Sequence, residues 1–391
     1  MSRRQTHTEC LNRMFALRRF GIKLGLATIR SMLAGLGNPH HRYPCIHVAG
    51  TNGKGSVASN LAAILMRSGY RVGLYTSPHL VRFNERIKID GMEITDADIV
   101  RLYRRVRKVL PDSRDPTFFE FTTAMALDEF SRRKVDWAVI ETGMGGRLDA
   151  TNILTPALSI ITNISLEHRE YLGRTLREIA FEKAGIIKRC RPVVTGVRQA
   201  SALAVVTETA LKRSAPLFRL GAEFRIRRSS GGRFTFYGMN HIWPNMATSL
   251  RGAYQTENAA LALAACELLM LRASRIKSSS IREGLITNRW PGRLEVVCET
   301  PLVMLDGAHN LAAARQLAQH LTMHFADREI TMVVGILGDK PYEARLKLLL
   351  PNGRAWWLED PMQNLYGRPP VELPGWVVMR AQTNYRTPRD I

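Results

Sequence analysis

The sequence lacks any run of about 18 uninterrupted apolar residues, so no membrane-spanning helix is expected. The most apolar stretch, residues 259–271, is broken by Glu267. Cysteine is sparse. Cys10, Cys45, Cys190, Cys266 and Cys298 stand singly, without a C-x-x-C pair, which argues against both a zinc site and a disulfide framework and fits a reducing, cytoplasmic setting. Acid is also short, with 34 Asp and Glu against 56 Lys and Arg, a net charge of +22. Such an excess either attracts polyanions or reflects arginine bias on a solvated surface. The basic residues are spread along the chain with no aromatic-interleaved motif, so the surface reading is favoured and nucleic acid is not the expected partner. Residues 1–20 carry Arg3, Arg4, Arg13, Arg18 and Arg19 against Glu9 alone, but lack the serine richness of a transit peptide and run straight into a helical pattern. There is no internal repeat and no low-complexity segment.

The 391 residues suggest two domains, each able to bury a core. Periodicity predicts a helix over 24–36 that stops at Gly37-Asn38-Pro39, and then the stretch around which the chain is organised. His47-Val48-Ala49-Gly50-Thr51-Asn52-Gly53-Lys54-Gly55-Ser56 reads as a strand, an anion-cradling loop and the start of a helix. Glycines turn backbone N–H groups toward a phosphate, the helix adds its positive end, Lys54 reaches the phosphate and Ser56 a phosphate-bound Mg2+. The spacing departs from the common NTPase loop, because Gly55 separates the lysine from the hydroxyl.

Downstream, strands and helices alternate. Strands are predicted at 71–76, 135–140, 157–164 and 192–196, the last closing the sheet pattern, with a short extended excursion over 86–94. Helices are predicted at 99–110, 120–132, 176–186 and 200–212, with Thr95 and Asp98 framing the start of the first. This order implies a doubly wound, mostly parallel sheet. A hairpin around Ser229-Ser230-Gly231-Gly232 is expected to add a small antiparallel piece, followed by a long helix over 255–271. Trp290-Pro291-Gly292-Arg293 breaks the periodicity, which sets the domains at 1–290 and 291–391. The second, smaller α/β unit comprises a strand at 302–305, a loop at 306–310, a helix at 311–324, a strand at 330–336 and a helix at 342–350. Residues 362–391 read as loop, so this unit is expected to be short at its end.

Three successive strand ends carry candidate ligands. Ser77-Pro78-His79-Leu80 follows the second strand, Glu141 ends the next apolar run, and His168 lies beyond the one after. Glu141 beside a phosphate loop suits the second half of a Mg-nucleotide site. Lys183, in contrast, reads as an ordinary solvated helix residue.

These motifs, taken in order, resemble the folylpolyglutamate synthase and dihydrofolate synthase branch of the Mur ligases. The resemblance runs through residues 47–56, Ser77-Pro78-His79-Leu80, residues 141–152, 167–173 and 182–186, Pro291-Gly292-Arg293 and Asp306-Gly307-Ala308-His309-Asn310. It implies an ATP-dependent amide ligase in which an acceptor carboxylate becomes an acyl phosphate that the amine of L-glutamate attacks. Acceptors would be dihydropteroate and reduced folates, since residues 146–152 are similar to the bifunctional bacterial form. The same resemblance gives ATP to Gly50, Thr51, Asn52, Gly53, Lys54, Gly55 and Ser56, with Asn258, Arg293, Asp306 and His309. It gives metal to Ser56, Ser77, Glu141, His168 and a carbamylated Lys183, and acceptor contacts to Arg147, Asp149 and Ala150. Lys54, His168 and Lys183 would be catalytic. Two Mg2+ sites, an optional monovalent cation, a monomer and a site depending on domain closure complete the expectation. Glu167 stands where the family has Asp, and Tyr254 where a His is common. A Mur-type ligase with another acceptor, or a basic member without catalysis, are the alternatives.

Overall fold

The computed structural model describes residues 6–21, 25–110, 115–270, 273–335, 343–349, 351, 355–359 and 377–382. They fall into two compact units, Met1–Thr248 with Glu257–Asn288, and Ser249–Thr256 with Arg289–Ile391.

The first unit is built on an eight-stranded sheet of β1 (Cys45–Ala49), β2 (Val72–Tyr75), β3 (Ile87–Ile89), β4 (Met92–Glu93), β5 (Trp137–Glu141), β6 (Leu158–Ile161), β7 (Val193–Thr195) and β8 (Leu217–Arg219). The spatial order is β4-β3-β2-β5-β1-β6-β7-β8, parallel from β2 to β8, with β3 and β4 antiparallel at one edge. The sheet therefore does not close at β7: β8, too short and half-buried to stand out in the sequence, extends it. Every residue of β1 and β5 is buried, as expected of central parallel strands covered on both faces. Ala138 and Ile140 of β5 join a core with Met14, Leu33, Leu102 and Phe121, while β6 and β7 pack Ile161 and Val193 against Ile179 and Val206.

Capping fixes where the covering helices begin. Thr95 and Asp98 form the expected box before Asp96–Arg107, and Thr117 with Glu120 and Thr175 with Glu178 repeat it before Phe118–Arg132 and Leu176–Ala184. The arginine-rich start is a capped helix, His7–Ala16, with Thr6 and Glu9 as its box. The helix Lys54–Arg67 is braced by Ser278–Thr287: Ser68 Oγ donates to Ser280 Oγ at 2.9 Å, and Asn288 Nδ2 donates to Ser59 Oγ at 3.0 Å and Asn60 Oδ1 at 2.7 Å.

The antiparallel addition has three strands, β9 (Arg225–Arg228), β10 (Phe234–Tyr237) and β11 (Ile242–Met246), in the order β11-β10-β9. Only the hairpin of β9 and β10 was legible, because β11 contains Pro244, which suits an edge strand but reads as a breaker.

The second unit holds a mixed five-stranded sheet, β12 (Glu295–Glu299), β13 (Leu302–Asp306), β14 (Glu329–Gly335), β15 (Ala355–Glu359) and β16 (Val377–Gln382), in the order β12-β13-β16-β14-β15. β16 lies antiparallel between β13 and β14. The expectation of loop over 362–391 therefore fails at 377–382, which form a central strand. Residues 362–376 and 383–391 lie outside the described residues.

Candidate active site

β1 delivers the phosphate loop, and β6 holds it in place. Thr51 N donates to Asn163 O at 2.9 Å, Asn52 N to Asn163 Oδ1 at 2.9 Å, and Thr162 Oγ1 to Asn52 O at 2.6 Å. A side chain at Gly50, whose φ is 146°, would drive into Thr162 Oγ1, so the close strand-to-loop contact requires glycine there. Gly53 caps the helix Lys54–Arg67 in the left-handed region, and Asn258 is packed against it. Asn258 is thus brought to the loop from some 200 residues away in the chain, within the same unit. Ser56 is buried in the first turn of that helix.

Lys54 Nζ donates to Gly50 O at 3.0 Å and to Thr51 O at 3.1 Å, curling back over its own loop. Lys183 meets the same carbonyl. Its ammonium, 1% exposed, donates to Gly50 O at 2.8 Å and to Glu167 Oε1 at 2.7 Å. The reading of Lys183 as a solvated residue is therefore wrong. The helix Leu176–Ala184 is pressed so tightly onto residues 145–147 that a Cβ on Gly146 would stand 2.8 Å from Glu182 O and 2.9 Å from Lys183 O. That contact turns the lysine inward. Burial pulls Lys183 down to about 8, against the opposing pull of Glu167 and with Lys54 lowering it further. Burial alone would raise Glu167, but Lys183 and then Lys54 outweigh it and hold the carboxyl at about 2.

Glu141, at the end of β5 and in register beside Val48 of β1, is 4% exposed and accepts from Ser77 N at 3.2 Å. Two of the sequence candidates are thus neighbours, with the buried Ser56 hydroxyl at the start of the adjoining helix. Among the described residues no three His, Cys, Asp or Glu side chains gather as a metal cluster. The oxygen donors Ser56, Ser77 and Glu141 nonetheless form the kind of set that suits Mg2+, which usually takes few protein ligands alongside phosphate oxygens. His168 is exposed, in the left-handed region at φ 44°, and starts the short helix Arg169–Leu172.

Asp149 is buried and raised by that burial, although backbone and side-chain hydrogen bonds oppose the shift. It accepts from Met144 N at 2.9 Å and Thr151 N at 3.0 Å, so its carboxylate braces the loop from within. Thr151 Oγ1 also bonds Asp149, and lies 2.8 Å from Nε2 of His47. Burial, and then Lys188, lowers His47 to about 3 and keeps it neutral. Ala150 is buried beside this brace. Arg147 is exposed, with Nε and one terminal nitrogen on Glu182 Oε1 at 3.1 and 2.8 Å. Sequence reasoning missed Asn163, Thr162 and His47. A polar pair immediately after β6 was the available signal for the first two.

In the second unit, Arg293, Asp306 and His309 gather at the end of β13. Asp306 Oδ2 accepts from Leu294 N at 2.9 Å, and Arg293 packs against Gly307. His309 Nδ1 lies 3.0 Å from Gly307 O. Burial raises Asp306, against the pull of Arg293. Tyr254 is raised by burial and then by Asp306, so it stays a neutral phenol.

Residues 48–266 match the Mur ligase middle domain and residues 292–350 the Mur ligase glutamate ligase domain. The chain is 40% identical over 342 residues to a dihydrofolate synthase/folylpolyglutamate synthase of Bacillus subtilis, covering 85% of this chain and 80% of that protein. It is also 40% identical over 327 residues to a folylpolyglutamate synthase of Lacticaseibacillus casei, covering 81% and 76%. A solved FPGS complex with AMPPCP and folate superposes with a TM-score of 0.82 at 37% identity, covering 90% of this chain and 89% of that one.

Proposed function

The chain belongs to the folylpolyglutamate synthase and dihydrofolate synthase family of Mur ligases, and from that premise we propose that it joins L-glutamate to dihydropteroate and to reduced folates at the expense of ATP. The observation that carries the chemistry is the meeting of Lys54 and Lys183 on one carbonyl of the phosphate loop.

In the reaction, an acceptor carboxylate oxygen attacks the γ-phosphorus and the bond to the bridging oxygen breaks, releasing ADP. The glutamate amine, having lost a proton, then attacks the acyl carbon, and phosphate leaves with the electron pair of the C–O bond. Both steps gather negative charge in one place. The task of the protein is to hold and neutralise it with fixed dipoles and cations. The amides at the helix start, residues 53–56, would face the phosphates, and Lys54 can exchange its loop carbonyls for a phosphate oxygen. Asn258 borders the loop at Gly53. Within the second unit, Arg293, Asp306 and His309 gather at the end of β13 as a polar group that would suit a nucleotide.

Ser56, Ser77 and Glu141 would hold one Mg2+, and His168 with a carbamylated Lys183 a second. Bound there, the metal neutralises phosphate charge and orients the γ-phosphoryl group. Lys183 suits that modification because only a neutral amine adds to carbon dioxide, and a group lowered to about 8 is roughly one-tenth neutral at pH 7. Glu167 holds the unmodified ammonium in place. Residues 146–152, with Arg147 at the rim and Asp149 as internal brace, would shape the acceptor pocket around Ala150.

The test is phosphate release from purified protein given ATP, Mg2+ and L-glutamate with dihydropteroate or a reduced folate. Release is expected with each acceptor. Folded protein that releases phosphate with neither would overturn the reading.

A further inference from the structure

The proposed chemistry uses the C-terminal ends of β1, β5 and β6, and a second concave site lies at the opposite end of the sheet. It is a cleft of about 340 Å3 whose walls include His41, Arg42, Tyr43, Pro44, Thr155 and Arg191. These residues precede β1, β6 and β7 in parallel register, so the five residues of β1, at ~3.3 Å each, put ~16 Å between the cleft and the phosphate loop.

The cleft holds cations without acids. No carboxylate is among its lining residues. Among the described residues Arg42 reaches only neutral oxygens, Ser131 Oγ and Gly37 O, each at 3.3 Å. A guanidinium meeting its charged partner would sit closer, at ~2.8 Å. Arg191 is half-buried and has no carboxylate partner among the described residues. Asp128 acts on Tyr43 but is engaged by Arg105 Nε at 2.6 Å, and the Tyr43 hydroxyl donates to Leu127 O at 2.9 Å.

More positive charge stands behind the wall. Arg191 N donates to Lys188 O at 3.2 Å, and Cys190 N to Arg213 O at 3.0 Å, which ties these basic side chains to one segment. Lys188 Nζ donates to Asn152 O and Oδ1, both at 2.9 Å. Burial first, then Arg213, lowers Lys188 to about 8, with Arg30 adding to the shift and only the Cys45 thiol, no carboxylate, opposing it.

We propose that this cleft is a second anion site, which takes a small phosphorylated ligand of about mononucleotide size. A guanidinium matches the geometry of phosphate oxygens, two arginines line the cleft, and its volume falls in the ~300–1,000 Å3 range of small-molecule sites. A bound anion would also offset the positive charge that Arg213 and Arg30 exert on Lys188.

The test uses the full chain with Mg2+ and saturating AMPPCP, whose binding is measured first, so that a failure of the nucleotide reading shows separately. Inorganic pyrophosphate is then titrated by calorimetry. One saturable site is expected, at least tenfold weaker in Arg191→Ala, lost in Arg42→Ala/Arg191→Ala, and unchanged in Arg227→Ala on β9. Among the described residues Arg191→Ala removes no side-chain bond, so it decides even if the double variant unfolds. An unchanged Kd in Arg191→Ala, a titration that never saturates, or an equal loss in Arg227→Ala would each overturn the proposal.

Discussion

At the C-terminal ends of β1 and β6 every lysine is answered: Lys54 by the carbonyls of Gly50 and Thr51, Lys183 by Gly50 and by Glu167. At the N-terminal ends of the same strands, Arg42 meets neutral oxygens at 3.3 Å and Arg191 meets no acid among the described residues. The ends also differ in burial. Lys183 is 1% exposed, so its field acts with little solvent screening, whereas Arg42 is open to water and salt. A density of positive charge therefore does not identify a reaction centre. What sets the phosphate-loop end apart is that Lys183 is buried and paired with Glu167, and half-buried Lys54 is held by two loop carbonyls, before any substrate arrives.

The sharpest way to break the comparison is Lys183→Ala. If the buried end owes its chemistry to this side chain, kcat should fall by about 10²–10³-fold or more, the scale of losing one preorganised electrostatic group. Phosphate release measures it, and added bicarbonate should give no rescue because no amine remains to be carbamylated. Wild-type turnover in the variant would remove Lys183 from the mechanism.

Glu167→Gln tests the pairing itself. The Glu167 carboxyl is held at about 2 against an ordinary 4.5, because Lys183 and Lys54 outweigh the burial that would raise it. A depressed carboxyl stabilises the fold above pH 4.5 and loses that contribution as pH falls toward 2, by up to about 3 kcal/mol at ~1.4 kcal/mol per unit. Thermal melts should show a steeper acid loss in wild type than in Glu167→Gln. Equal slopes would mean that the ion pair contributes nothing.

How much of this was written in the sequence follows from how local each feature is. The phosphate loop was legible because its glycines, Lys54 and Ser56 are fixed by neighbours in the chain, and Gly55 separated it from the general NTPase pattern. Glu141 was legible because a buried strand must end in a loop. Lys183 was not, since its burial depends on Gly146 and Gly185 letting two distant segments touch, and Gly185 by itself does not say which segment it meets. Only resemblance to a family pointed to it. Asn163 escaped for the same reason, as did β16, whose place between β13 and β14 depends on strands some 40 to 80 residues earlier. The +22 charge was read as surface bias, and that reading did not distinguish an evenly solvated arginine from two that face one cleft.

The smallest expected effect bears on whether the two ends are coupled at all. A unit charge ~16 Å away through water contributes about 0.3 kcal/mol, so removing both Arg42 and Arg191 should change kcat by no more than about twofold. Most of that should vanish as salt rises from about 50 to 200 mM, because the Debye length of ~10 Å is shorter than the separation. The measurement is phosphate release by Arg42→Ala/Arg191→Ala at the two salt concentrations. A tenfold loss that persisted in salt could not be Coulombic at this distance. It would require the sheet itself to transmit a change from the cleft to the loop, through β1 and the bonds that Asn163 and Thr162 make to residues 51 and 52. A twofold effect that salt removes would leave the cationic end as an independent anion site, and the paired end as the whole of the catalytic apparatus in this unit.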